Sequence, residues 1–65
     1  MSASEALSRA EELLARVEAA RQRLEGTDDP EVAIEILQEL SDLAKQVDAE
    51  IERAKAAAEA DAAGA

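Results

Sequence analysis

Apolar and polar residues alternate along the chain with the spacing of amphipathic helices, and one short segment interrupts the pattern. Over residues 4–25, and again over residues 30–60, apolar side chains recur at steps of three and four, as on one face of an α-helix. Between these stretches lie Gly26 and Pro30, and glycine after one helix with proline at the start of the next is typical of helix ends. The pattern predicts helices at about 4–25 and 30–60, with a turn at 26–29.

Polar residues suited to cap both predicted helices stand near their starts. Ser2 and Glu5 have the spacing of a capping box, in which a serine oxygen accepts a hydrogen bond from the backbone three residues on. Ser4 is the alternative cap of the first helix. Asp29 is predicted to cap the second helix, with Thr27 as a competitor.

The apolar stripes of the two predicted helices can face each other in an antiparallel hairpin. In a hairpin with a short turn, the residue numbers of facing pairs add up to a nearly constant value. Leu24 with Ala33, Val17 with Leu40 and two further pairs satisfy this rule. The predicted intrachain seam consists of Leu7, Ala10, Leu14, Val17, Leu24, Ala33, Ile36, Leu40, Leu43 and Val47. The sequence therefore predicts an all-α fold, an antiparallel helical hairpin with coiled-coil-like packing.

A second set of apolar residues does not fit into the predicted seam. These residues are Leu13, Leu37, Ala44 and Ile51. They could simply be exposed, as apolar residues on a protein surface often are. However, an isolated two-helix hairpin of this size has close to zero net stability. We therefore expect them to form an interface with a second copy or with a partner's helices, with a homodimeric four-helix bundle favoured.

The last residues have a different composition from the rest of the chain. Residues 55–65 are mostly alanine. Because the residue numbers of facing pairs add up to a nearly constant value, these residues have no facing residue in the first helix. A helix without packing frays at its end. We therefore divide the chain into a helical hairpin at 1–54 and an alanine-rich frayed helical end or tail at 55–65.

The composition excludes most kinds of site chemistry. The 65 residues include no His, Cys, Trp, Tyr or Phe, so thiolate nucleophiles, imidazole bases and the usual zinc sites are excluded. The acidic cluster of Asp28, Asp29 and Glu31 lacks the ligand spacing of a calcium loop, and helix capping explains it. We predict a protein that is not an enzyme, with no catalytic, cofactor-binding or metal-binding residue and no cofactor.

Two further absences bear on location. No apolar stretch is long enough to span a bilayer, and the N-terminus lacks the basic and then apolar pattern of a secretory signal. We expect no membrane partner and a cytoplasmic location.

Charge is abundant but unbalanced, with a net charge of −9. Three arginines recur every seven residues in the first helix: Arg9, Arg16 and Arg23. They could form a strip that faces phosphates, or a solvated flank that Glu5 and Glu12 support at i,i+4 spacing. The negative net charge and the lack of aromatic residues favour the flank. Nucleic acid is therefore an improbable partner.

Two segments resemble a known family. Arg23-Leu24-Glu25, followed by Pro30 and Ala33-Ile34, is similar to the hinge of the small subunit of exodeoxyribonuclease VII. With one residue deleted after Pro30, the run Leu43-Ala44-Lys45-Gln46 with Ala49, Ile51 and Ala54 is similar to that family's second helix. The resemblance covers about residues 10–55. It implies a helical-hairpin accessory subunit that binds helices of a catalytic large subunit and supplies no nuclease chemistry.

These observations favour a non-catalytic protein–protein interaction module that associates with itself or docks on a partner's helices, such as an exonuclease VII small-subunit-like accessory subunit. One alternative is an RNA-binding hairpin dimer with the layout of the plasmid regulator Rop, in which the arginine strips of both copies form one face. Another is an engineered hairpin without activity, which the clean periodicity and the alanine-rich composition would also fit.

Overall fold

The chain forms a helical hairpin of two long helices joined by a three-residue loop. A computed structural model describes residues 2–64, with side chains through residue 62. Helix α1 spans Ala3–Gly26 and helix α2 spans Pro30–Gly64, and the two pack against each other along an elongated body of 54 × 14 × 12 Å. The predicted all-α hairpin is confirmed. The predicted boundaries at residues 1 and 65 lie outside the described residues.

Helix α2 runs further than the predicted end at about residue 60. It has 35 residues against 24 in α1, and the segment that was expected to fray is helical through Gly64. Ala54 is buried and Ala57 is half-buried, whereas residues 58–62 are exposed. The last turns of α2 therefore extend beyond the packed part of the hairpin.

Side-chain caps fix the start of each helix. The Ser2 hydroxyl oxygen accepts a hydrogen bond from the Glu5 backbone N–H at 3.1 Å. The Asp29 carboxylate accepts one from the Glu31 N–H at 2.9 Å, while the Thr27 hydroxyl accepts one from the Asp29 N–H at 3.3 Å. Each cap satisfies a backbone donor that has no partner within its helix. Asp29 therefore caps α2, and Thr27 holds the loop that precedes it.

The core of the hairpin differs from the predicted seam in helix α1. Leu13 and Ala20 are buried with Ile36 and Leu43 in one cluster, and half-buried Val17, Leu24, Leu40 and Val47 pack against it. Leu7 and Leu14, which the sequence placed in the seam, are exposed, so that prediction is wrong for both. Leu13, which was predicted to lie in an outer interface, occupies the core instead.

Leu13 is buried and Leu14 is exposed because consecutive residues of a helix point in different directions. Leu13 and Leu14 point about 100° apart, so a narrow two-helix seam can bury only one of them. The seam takes Ala6, Leu13 and Ala20, which are spaced seven apart, together with Ala10. The other predicted members of the seam, Ala33 among them, are buried or half-buried.

Alanine dominates the buried core. Seven apolar residues are buried between residues 2 and 62, of which four are alanines and three, Leu13, Ile36 and Leu43, are large. Small side chains let two helices approach closely but remove little apolar surface from water. The hairpin therefore has a thin core for its length.

The glycine at the end of α1 does not serve a special backbone conformation. Gly26 is the last residue of α1, it has no positive φ, and a Cβ built on it would meet nothing within 4 Å. We expect Gly26→Ala to raise the free energy of unfolding by about 0.4–1 kcal/mol, because alanine restricts the unfolded chain without straining the helix. Urea unfolding followed by circular dichroism measures this. A loss of stability would contradict the helical assignment of this residue.

Candidate interaction surface

Large apolar side chains remain exposed on both helices. Leu7, Leu14, Leu37 and Ile51 are 52%, 53%, 52% and 43% exposed, respectively. Each of them follows a buried residue by one position, and so does the exposed Ala44. We call these five residues, Leu7, Leu14, Leu37, Ala44 and Ile51, the apolar face.

The members of the apolar face lie on the same side of the hairpin. A residue one position after a core residue is turned by about 100° in the same sense around its own helix. Two antiparallel helices are related by a twofold axis perpendicular to the pair, so this turn brings both sets of side chains to the same side. Leu7 and Leu14 of α1 therefore stand beside Leu37, Ala44 and Ile51 of α2.

The apolar face continues into the core. Val17, Leu24, Leu40 and Val47 pack against the buried cluster but are only half-buried. On each helix these positions lie between the deeply buried residues and the apolar face. Ile34 extends the same side near the loop, whereas Val32 precedes a core residue and lies on the opposite side. On this side of the hairpin, apolar side chains thus extend from the core to the apolar face.

Three of the four predicted interface residues are in the apolar face: Leu37, Ala44 and Ile51. The fourth, Leu13, is in the core, and its neighbour Leu14 takes that place on the surface. Leu7, which was expected in the seam, also belongs to the apolar face.

The three predicted arginines lie on the opposite side of the hairpin. Arg9, Arg16 and Arg23 each precede a core residue by one position. Arg23 donates to the Glu39 carboxylate of α2 at 3.0 Å, and Arg16 lies 3.7 Å from Glu12 on its own helix. Acidic partners thus accompany two of the three arginines, so no uninterrupted basic strip is available to phosphates.

On α1, a cluster of charged residues lies between the apolar face and the loop. Arg21 occupies the position that follows Leu7 and Leu14 in the seven-residue spacing, and it pairs with both Glu18 and Glu25. Its hydrogen bonds lower the pKa of the exposed Glu18 carboxyl, and the two carboxylates raise the pKa of Arg21. The charge of Arg21 is therefore balanced within α1.

Glu50 is a buried charged residue that the sequence pattern did not reveal. It is only 7% exposed, at a core position of α2 in the part of the seam lined by alanines. One carboxylate oxygen accepts a hydrogen bond from Arg53, and the other has no partner. Burying a carboxylate without a full set of partners costs stability. This cost falls at the end of the hairpin away from the loop, where Glu50 lies.

The described residues form neither a pocket nor a cluster of potential metal ligands. Among residues 2–64 there is no pocket, and no group of three acidic residues is close enough to bind a metal ion. No helix in this part of the chain is both long and apolar enough to cross a bilayer. The apolar face is thus the main surface feature that core packing does not explain.

Comparisons of this chain with family models, with characterised proteins and with solved structures find no match.

Proposed function

We propose that this protein is a non-catalytic interaction module that associates with a second copy through the apolar face and forms a four-helix bundle. The observation that carries the proposal is the concentration of exposed large apolar residues on one side of the hairpin, next to a half-buried core. Covering that side with the same side of a second hairpin would bury both sets at once, because a twofold interface needs only one self-complementary patch.

The distribution of apolar residues within the hairpin supports an association. Among the side chains that the structure describes, at residues 2–62, six large apolar ones are exposed and three are buried. A core made mostly of alanine contributes little to the stability of a chain of 65 residues. Association would turn the half-buried residues into a full core and add the apolar face to it.

The proposed module would supply binding rather than chemistry. The resemblance to the small subunit of exonuclease VII suggests the same use of the surface, with helices of a larger subunit as the ligand. The second copy is the occupant proposed here, because its own apolar face matches in length and in residue type.

Sedimentation equilibrium over about a hundredfold range of concentration tests the proposal. We expect a mass of twice 6.9 kDa at high concentration, with dissociation and loss of helicity on dilution, because association and folding are coupled in marginal monomers. Circular dichroism on the same samples reports helicity. A well-folded monomer at high micromolar concentration would overturn the proposed homodimer and leave the helices of a different protein as the candidate ligand.

A further inference from the structure

We propose that the last turns of α2 are part of the interface between the two copies, where Ala58 of each copy packs against Leu37 of the other. The proposed contact rests on the homodimer described above and extends its interface beyond the apolar face. Two features that the hairpin itself leaves unexplained support it. Helix α2 continues past the start of α1, and Arg21 stands in line with Leu7 and Leu14.

Ala58 continues the spacing of the apolar face on α2. It is exposed, it comes seven residues after Ile51, and it follows the half-buried Ala57 by one position, as Ile51 follows the buried Glu50. It therefore lies on the same side of α2 as the apolar face. Helix α2 thus extends this side of the hairpin by about two turns past Ile51.

Arg21 interrupts the same spacing on α1. It comes seven residues after Leu14 and follows the buried Ala20 by one position, so it stands where a third apolar residue of α1 would be. In an antiparallel hairpin, the residue numbers of facing pairs add up to a nearly constant value. Three pairs on this side of the hairpin are therefore nearly level: Leu7 with Ile51, Leu14 with Ala44, and Arg21 with Leu37.

A twofold axis along the bundle would bring Arg21 into the interface. Both loops would be at one end, α1 of each copy would lie beside α2 of the other, and symmetry would keep every residue at the height that it has in its own hairpin. Arg21 of each copy would then face Leu37 of the other. Ala58 would have no helix beside it, because it lies beyond the start of the other copy's α1 at Ala3.

A twofold axis across the bundle, through the middle of the apolar face, has the same defect. The loops would be at opposite ends, and each helix would run antiparallel to its own copy. Leu37 would lie against Ile51 of the second copy, and Leu7 would lie against Arg21, because these residues are level in pairs. Covering a charged side chain with a leucine costs free energy, and symmetry makes the cost occur twice.

Sliding the second copy by seven residues along the bundle removes Arg21 from the contact. We call this the offset arrangement, and in it every contact along the seven-residue spacing is apolar. Three contacts form, each of them twice: Leu7 with Leu14, Ala44 with Ile51, and Leu37 with Ala58. Arg21 then lies beyond the start of the second copy's α1 at Ala3, so it stays in water with its partners Glu18 and Glu25.

The offset arrangement also covers the part of α2 that α1 leaves uncovered. Leu37 lies seven residues after Pro30, and Ala58 lies six residues before Gly64. Setting Leu37 against Ala58 therefore brings the start of each α2 level with the end of the other, and the two helices pair along their whole described length. A helix end that is packed in this way frays less than one without a neighbour.

The charges that border the apolar face do not distinguish these arrangements. Glu11, Glu18 and Glu25 of α1 and Asp48 of α2 lie on this border, and acidic residues oppose each other in all three arrangements. The apolar contacts and the lengths of the two helices favour the offset arrangement.

Two matched variants test the contact at Ala58. Ala58→Glu would place an unpaired charge against leucine twice in the dimer, so we expect the dissociation constant to rise by about tenfold or more. Ala60→Glu makes the same change at an exposed position on the opposite side of α2, and it should alter the constant by no more than about twofold. Sedimentation equilibrium measures both constants. Equal effects at the two positions, or no effect at Ala58, would overturn the inference while the homodimer remained.

A spin label in the loop distinguishes the three arrangements. The chain has no cysteine, so Asp28→Cys gives a single attachment site, and Asp28 caps neither helix. In pulsed electron spin resonance we expect one intermolecular distance of about 50 Å, the length of a helix of 35 residues. The arrangement centred on the apolar face would give about 40 Å, because the slide of seven residues is about 10 Å. Loops at the same end would give less than about 25 Å.

The outcome at Asp28 separates the offset arrangement from the dimer itself. A distance of about 40 Å, or one below about 25 Å, overturns the inference but leaves a homodimer. A monomeric mass with no intermolecular distance overturns both.

Discussion

Truncation of Ile36 to alanine is expected to unfold most of the protein at room temperature. Ile36 is the largest side chain that is almost completely buried, with 2% exposure, in a core that otherwise contains two leucines and several alanines. Removing a buried isoleucine side chain to the β-carbon costs about 2–5 kcal/mol. That loss is comparable to the whole stability of a small domain. Circular dichroism and thermal unfolding at fixed protein concentration measure it.

Ile34 offers a matched control for this experiment. It lies two residues away on the same helix but is 56% exposed, so the same chemical change there removes few packing contacts. We expect Ile34→Ala to cost less than about 1 kcal/mol. Equal losses at the two positions would mean that the core does not contain Ile36 in preference to its neighbours.

Placing two glutamates in the apolar face is expected to abolish self-association. Leu37→Glu combined with Ile51→Glu would bury two charges per copy in the proposed interface, without partners, and each buried unpaired charge costs several kcal/mol. Since the separate hairpin has a thin core, dissociation should bring loss of helicity with it. Sedimentation equilibrium and circular dichroism on the same samples measure both effects.

A control variant separates this effect from added negative charge. Gln38→Glu with Ala49→Glu adds the same charge to the same helix at exposed positions directed away from the apolar face. We expect this control to keep the mass and helicity of the original protein. If both double variants remained associated and helical, the apolar face would not be the interface.

Most of the fold follows from the spacing of large apolar residues. In α2 the steps of three and four run through Ile36, Leu40, Leu43 and Val47, and all of them are in the core or pack against it. Here one stripe is clearly more apolar than its neighbours. The loop was also predictable, because Pro30 cannot continue a preceding helix and favours the first position of a new one.

The core face of α1 could not be chosen from the sequence in the same way. Leu13 and Leu14 are adjacent, and Leu7 and Leu14 share the spacing of seven, so leucines alone favour the face that proved to be outside. In the structure Ala6 and Ala20 are completely buried, and together with Leu13 they form the core face of α1. Alanine is too common in this chain, and too weakly apolar, to mark a face by itself.

Glu50 was missed for a related reason. It continues the spacing of Leu43 and Val47 and precedes Ala54 by one turn, so its position predicts a core residue. Its side chain predicts the opposite, because glutamate is almost never fully buried without partners. Periodicity proved the better guide at this position, and only packing could show that.

The apolar side chains of the seam are larger near the loop than at the other end of the hairpin, and this difference favours one order of packing between α1 and α2. Ile36, Leu24 and Leu40 lie near the three-residue loop, where the entropy cost of closing the chain is smallest. Towards the other end, the buried residues of the seam are alanines and Glu50. The contacts nearest the loop therefore have the smallest entropy cost of chain closure and are made by the larger apolar side chains. We therefore expect the helices to begin packing next to the loop, and the end farthest from the loop to pack last and to open first.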